Sequence, residues 1–153
     1  MYVSDSRFQL LMKNFFLNEG LEPALENGIP ACVLTCEGAG EVLARESPKG
    51  WFTLAMEIGI RPEGAGENWY YDTLTENLQF DRGTPSPTLG IIGNVLIQKS
   101  QLPLEYLNVE LLTEWLDAFV EAGVSARERL INSRNEQDAT QQTPATNTDW
   151  LKI

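Results

Sequence analysis

At 153 residues the chain is close to the commonest size of a single domain and can bury roughly 68–70% of the surface its unfolded form exposes, so one unstapled core is expected. No apolar run approaches the ~18 residues of a membrane span, and the start, "MYVSDSRFQ", has no basic-then-apolar leader, so the chain reads as soluble and not exported by a signal peptide, with no membrane partner. Its 11 basic against 22 acidic residues leave a net charge of −11, which argues against nucleic acid as a partner because Lys and Arg supply the phosphate contacts.

In chain order, residues 4–20 form the clearest element: Phe8, Leu11, Met12 and Phe15 recur at i, i+3, i+4 and i+7, one face of a helix. Ser4 or Asp5 can cap its start, Gly20 can stop it, and Leu21 can fold back on the last turn. Phe16 lies off this stripe and is expected to leave a bulky aromatic on the helix flank, a first sign of an apolar surface with a use.

From residue 31 to 60 the period shortens to that of strands in "ACVLTCE", "EVLARE" and "WFTLAMEIGI". The separators "GAG" and "SPKG" are turn sequences, which predicts an antiparallel meander of three strands. In the third run Phe52, Leu54, Met56 and Ile58 face the core, with Trp51, Thr53, Ala55 and Glu57 opposite. Cys32, Leu34 and Cys36 share a strand face, where the two sulfurs are too far apart to bond, so both cysteines read as small core residues. Two unpaired thiols suit a reducing cytoplasm, and zinc would need further Cys or His ligands, which the chain lacks.

A second helix is predicted over residues 67–80, with Tyr70, Leu74 and Leu78 on one stripe and Trp69 and Tyr71 beside it. Three consecutive aromatics place this helix either in the core or against another subunit. The stretch "LTENLQFDRGTPSPTLGII" then turns a corner stiffened by Gly83, Pro85 and Pro87 into two apolar strands, "TLGII" and "NVLIQKSQLPL", that meet at Gly93-Asn94. Asn108 caps a third helix reaching about residue 131, with Leu112, Trp115, Leu116, Phe119 and Val120 inward. Gly123 interrupts it at a cost of ~1 kcal/mol relative to Ala. The expected division is therefore an α+β domain over 1–131 and a polar, disordered tail over 132–153. Only the closing "DWLKI" is apolar, either a docking tag or an unstructured end.

Catalytic chemistry has little to work with. The chain has no histidine, so the commonest base at neutral pH is missing. In "EGAGEVL" Leu43 occupies the place of the third glycine of a dinucleotide fingerprint, between two strands, which makes it a hairpin turn. Glu37 with Glu41, and Asp72 with Glu76, have spacings able to hold a cation or share a proton, coincidences expected among 22 acidic residues. No catalytic, cofactor-binding or metal-ligating residue is assigned, and no cofactor is expected.

The order helix, three strands, helix, two strands, helix resembles the class I type III secretion chaperones, the family that includes the Tir chaperone. The likeness covers residues 5–131 and rests on an ordered set of pieces: "LLMKNFFLNEGLEP", the "ACVLTCE" strand, Leu74 with Asn77-Leu78, Gly83, Thr88-Leu89-Gly90, Val95 to Ile97, and Leu102-Pro103-Leu104. The resemblance implies a twisted antiparallel sheet with helices packed on it. It also implies a non-catalytic homodimer of the bacterial cytoplasm that holds the N-terminal segment of a secreted effector in extended form, by strand addition and insertion of spaced apolar side chains. On this reading Leu11, Phe15, Phe16, Val33, Leu43 and Trp51 bind the effector, and Tyr70, Tyr71, Leu74, Leu78 and Leu96 form the dimer contact. Two other readings stay open: an adaptor binding a folded partner through the third helix and the tail, and a small-ligand domain with a pocket at Trp69, Tyr70 and Tyr71. The crowded "NWYYDT" helix, the double proline and the tail depart from the family's pattern and leave the dimer geometry and the cargo unspecified.

Overall fold

The computed structural model describes residues 6–23, 25, 29–78 and 85–133. Helix α1 (Arg7–Asn18) starts at Ser6, whose hydroxyl accepts from the Gln9 amide while the Gln9 side chain accepts from Ser6 N–H. This reciprocal capping box places the cap at Ser6; Ser4 and Asp5 lie outside the described residues. The helix ends as expected, with Gly20 left-handed at φ 71° and Leu21 N–H donating to the Phe16 carbonyl at 2.8 Å.

Strands β1 (Ala31–Cys36), β2 (Gly40–Glu46) and β3 (Trp51–Ile60) form the meander, and β4 (Thr88–Ile92) and β5 (Val95–Pro103) a hairpin. All pairings are antiparallel in the order β1-β2-β3-β5-β4, so the hairpin joins through β5 to the long central β3. A 3-10 turn over Leu104–Tyr106 leads to helix α3 (Val109–Arg127), capped by the Asn108 side chain on Leu111 N–H, and the helix widens to a π turn over Glu128–Asn132.

Helices α1 and α3 cover one face of the sheet. Phe8, Phe52 and Trp115 stack as a chain of tilted and edge-on rings 5.2 and 5.6 Å apart, joining α1, β3 and α3. Two buried polar groups of β5 are satisfied by α3: Gln98 Nε2 donates to the Phe119 carbonyl at 2.8 Å, and Trp115 Nε1 donates to Ser100 Oγ at 3.1 Å. Gly123, a pure cost by propensity, sits where a Cβ would meet Met56 Sδ, so it permits α3 to lie close to β3. Arg127 donates to the carbonyls of Ala39, Glu57 and Ile58 and so ties α3 to the β1–β2 turn and to the irregularity between Glu57 and Gly59. Burial lowers its basicity, opposed by the charges of Glu57 and Glu128.

Helix α2 (Asn68–Glu76) is shorter than predicted, with Asn77 and Leu78 in a turn; residues 79–84, including Phe80 and Gly83, lie outside the described residues. Its inward stripe is Trp69, Thr73 and Glu76, and the apolar stripe of Tyr70, Leu74 and Leu78 faces outward, the second of the two placements the sequence allowed. The reason is that Trp69 has a polar partner inside: its Nε1 donates to the Leu130 carbonyl at 2.8 Å. Asn77 closes the corner after α2, its side-chain amide donating to the Leu89 carbonyl at 3.0 Å and its oxygen accepting from Leu89 N–H at 2.6 Å.

Candidate functional site

The sheet face turned away from α1 and α3 has no helix over it among the described residues. Strand alternation presents one row there, Val33 opposite Leu43, Leu43 opposite Ala55, and Ala55 opposite Lys99. Next to it lies a second row, Ala31, Arg45, Thr53 and Gln101. With Ile92, Ile97 and the Ser47-Pro48 loop these strands shape a groove of about 350 Å³. Leu43, Ala55 and Ile97 form its buried apolar floor, and Arg45 and Lys99 stand in its wall with no acidic side chain among the lining residues. At one end Thr53 Oγ1 donates to the Ser47 carbonyl at 2.7 Å, and Gln101 Nε2 donates to Thr53 Oγ1 at 2.9 Å. Beyond β1, which pairs with β2 alone, the described residues supply no further strand, so the sheet ends there in an open edge.

The six residues assigned to effector binding separate on this frame. Leu43 is in the groove floor, Val33 is exposed on its β1 side, and exposed Trp51 adjoins its other end through backbone bonds to Ser47 and Pro48. Leu11, Phe15 and Phe16 are on the far side of the sheet, all within the core. This corrects the expected outward flank: Phe16 is only 5% exposed and its ring meets Phe15 edge-on at 6.0 Å.

The residues assigned to a dimer contact divide similarly. Tyr70, Tyr71, Leu74 and Leu78 are exposed, at 37%, 64%, 63% and 73%, and form an apolar stripe along the outer side of α2. The Arg61 guanidinium lies over the Tyr70 ring at 4.9 Å. Leu96, by contrast, is fully buried on the helix-covered face and is corrected to a core residue. Underneath, α2 is anchored by the ion pair of Glu76 with Arg129, bidentate at 2.8 and 2.7 Å, and the bond to Glu76 raises the Arg129 pKa.

The other motifs end as structure. Cys32 and Cys36 are free thiols. Burial pushes the Cys32 pKa up to about 12, and burial with the charge of Asp117 raises that of Cys36, so neither carries the thiolate a nucleophile needs. No group of three or more His, Cys, Asp or Glu positioned for a metal ion occurs among the described residues, and no described helix is long and apolar enough to cross a membrane. Sequence reading missed the groove's own Arg45, Ile92, Ile97 and Lys99. The signal was present in "VLIQKSQ", where Ile97, Lys99 and Gln101 alternate with the core-facing Leu96, Gln98 and Ser100.

Comparison with known proteins gives a consistent result. The family model described as Tir chaperone protein (CesT) matches residues 10–127, whereas no curated protein matches the sequence. Among solved structures, a chain of the HopA1–SchA chaperone–effector complex is 16% identical with a TM-score of 0.65, over 83% of this chain and 99% of that one. A chain of the Yersinia pestis type III secretion chaperone SycH in complex with a stable fragment of YscM2 is 20% identical, with a TM-score of 0.62 over 77% of this chain and 98% of that one. A chain of the heterodimeric ExoU–SpcU complex of Pseudomonas aeruginosa is 16% identical, with a TM-score of 0.63 over 79% and 98%. At these identities the likeness is one of fold.

Proposed function

This chain belongs to the Tir chaperone protein (CesT) family, and from that premise we propose that it is a non-catalytic type III secretion chaperone of the bacterial cytoplasm. As a homodimer it holds the N-terminal segment of a secreted effector in extended form and keeps it soluble and competent for export. The observation that carries this reading is the groove on the sheet face over which no described helix lies, apolar at its floor and bordered by a strand edge that no described strand pairs. An extended peptide can pair its backbone with such an edge and place alternate side chains in such a groove. Val33, Leu43 and Trp51 then touch the effector, while Leu11, Phe15 and Phe16 support the sheet from its other side. Tyr70, Tyr71, Leu74 and Leu78 meet their counterparts in the second copy, and Leu96 belongs to the core. The domain ends near residue 131, and the polar residues that follow serve as a tail.

The test is capture of the tagged protein from its native bacterium under secretion-inducing conditions, followed by mapping of what it retains. The expected result is a larger protein held through its N-terminal segment alone, with that segment protected from limited proteolysis. Retention through a folded domain of the partner, with the N-terminal segment dispensable, would overturn the reading.

A further inference from the structure

The sheet has two outer strands, β1 and β4, and their edges are not alike. In an antiparallel ladder alternate residues direct both backbone groups at the neighbouring strand, and the residues between them direct theirs away from it. On β1 the Glu46 N–H donates to the Pro30 carbonyl at 2.8 Å, so positions 30, 32, 34 and 36 bond β2 while Ala31, Val33 and Thr35 point outward. None of the three is a proline, and among the described residues nothing bonds their outward N–H and C=O groups. On β4 the two-residue turn at Gly93-Asn94 makes Ile92 and Val95 a bonded pair. Gly90 and Thr88 therefore also bond β5, and Leu89 and Ile91 point outward. Both outward groups of Leu89 are taken by one side chain: its N–H donates to Asn77 Oδ1 at 2.6 Å, and its carbonyl accepts from Asn77 Nδ2 at 3.0 Å. Just before the strand, Pro87 has no N–H to give. Only Ile91 is left to pair, and one residue does not make a ladder. The Asn77 plug has a fixed stem, since it follows Glu76, whose carboxylate holds Arg129.

We propose that Asn77 decides which edge of this sheet accepts an added strand. Its amide stands in for the backbone pair that Leu89 would otherwise offer, so the β4 edge is closed and an extended chain adds to β1 alone, along Ala31, Val33 and Thr35. Alternate side chains of that chain then continue the row of Val33 and Leu43 on the face away from α1 and α3. Asn77 lies between Leu74 and Leu78 in sequence, so the closed edge is also the one beside the exposed stripe of α2. The closure of β4 stands on these bonds; that the strand added to β1 is an effector's rests on the chaperone reading above.

Amide hydrogen exchange on the cargo-free parent is the first test, and it does not depend on any variant folding. Leu89 should exchange at least about tenfold more slowly than Val33, and equal rates would overturn the proposal. Asn77→Ala should remove that protection and open the edge. Its apparent mass in sedimentation velocity should then rise with concentration beyond the parent's, at least about doubling, with the Ile91 amide protected in the associated form. Adding Gly90→Lys should return the variant to the parent's mass, because a lysine blunts an edge strand and a Cβ at Gly90 meets nothing within 4 Å. If Asn77 only held the corner in shape, that lysine would rescue nothing. A folded Asn77→Ala protein that keeps the parent's mass, or whose excess association survives Gly90→Lys, would overturn the proposal. The effector segment identified by capture separates the two readings. It should protect the amides of Ala31, Val33 and Thr35 and leave Ile91 unchanged. Protection at Ile91 instead removes the role of Asn77 and keeps the chaperone reading. Rescue by Gly90→Lys in a protein that binds no effector segment keeps the role of Asn77 and removes the chaperone reading.

Discussion

Helices α1 and α2 have much the same amphipathic character and opposite fates. The apolar stripe of α1, with Phe8, Met12, Phe15 and Phe16, is sealed between sheet and α3, while that of α2, with Tyr70, Tyr71 and Leu74, faces outward and continues into Leu78. Helix α2 is held from its less apolar side, by an indole N–H on the Leu130 carbonyl and a carboxylate on Arg129. Periodicity shows which side chains gain by leaving water; it does not show whether the same chain or another provides the cover. A nine-residue helix that turns Trp69, Thr73 and Glu76 inward and leaves its two tyrosines and Leu74 outside has the composition of an interface element.

The contrast breaks most severely at Phe16. Phe16→Asp places an unpaired carboxylate in the core at a cost of about 4 kcal/mol or more, comparable with the whole stability of a domain. The chain is expected to lose its cooperative melt by circular dichroism. A Phe16→Asp protein that melts like the parent would return Phe16 to the surface and make α1 as open as α2. The next largest effect is at Glu76, the buried half of the α2 anchor. Glu76→Gln leaves the half-exposed Arg129 without its charge partner and should cost about 2 kcal/mol in urea denaturation. The pair Glu76→Leu with Arg129→Met should recover most of that loss, because it removes the buried carboxylate together with its cation. Failure of the double variant to recover would mean that the carboxylate serves a role other than pairing with Arg129.

How far this was legible in the sequence follows from which forces are local. Strand alternation in "WFTLAMEIGI", the turns at "GAG" and "SPKG", and the Asn108 cap depend on neighbours within a few residues, and all appear where expected. The ordered motifs also pointed to the correct family. The inward face of α2 was not legible, because Trp69 gains its hydrogen bond from a carbonyl 61 positions away and Glu76 its cation from Arg129. Phe16 was misjudged for a related reason: a residue just off a helical stripe is buried when the surrounding core closes over it, and only the packed structure shows that it does so at Phe16. The groove required knowing that β5 lies between β3 and β4, which brings Ile97 and Lys99 alongside Ala55. The Asn77 motif was readable as a pattern but not as chemistry, since its amide substitutes for a strand partner of Leu89.

The effect on the fold should be smallest on the outer side of α2, and that is what makes it informative. Tyr71 and Leu74 are more than half exposed, so Tyr71→Glu with Leu74→Glu should change unfolding free energy by no more than about 0.5 kcal/mol at concentrations where parent and variant are both monomeric. In the proposed dimer the same two changes put four carboxylates into one apolar contact, and charges in the core of an interface are costly to desolvate. Sedimentation equilibrium should then show a dimer dissociation constant raised at least about a hundredfold, equivalent to about 2.7 kcal/mol. The concentration dependence of melting should disappear with it, because a dimer's apparent stability rises with protein concentration and a monomer's does not. A variant that still sediments as a dimer would place the contact elsewhere, on the open sheet face or its strand edge, and would leave the exposed stripe of α2 as a surface for cargo.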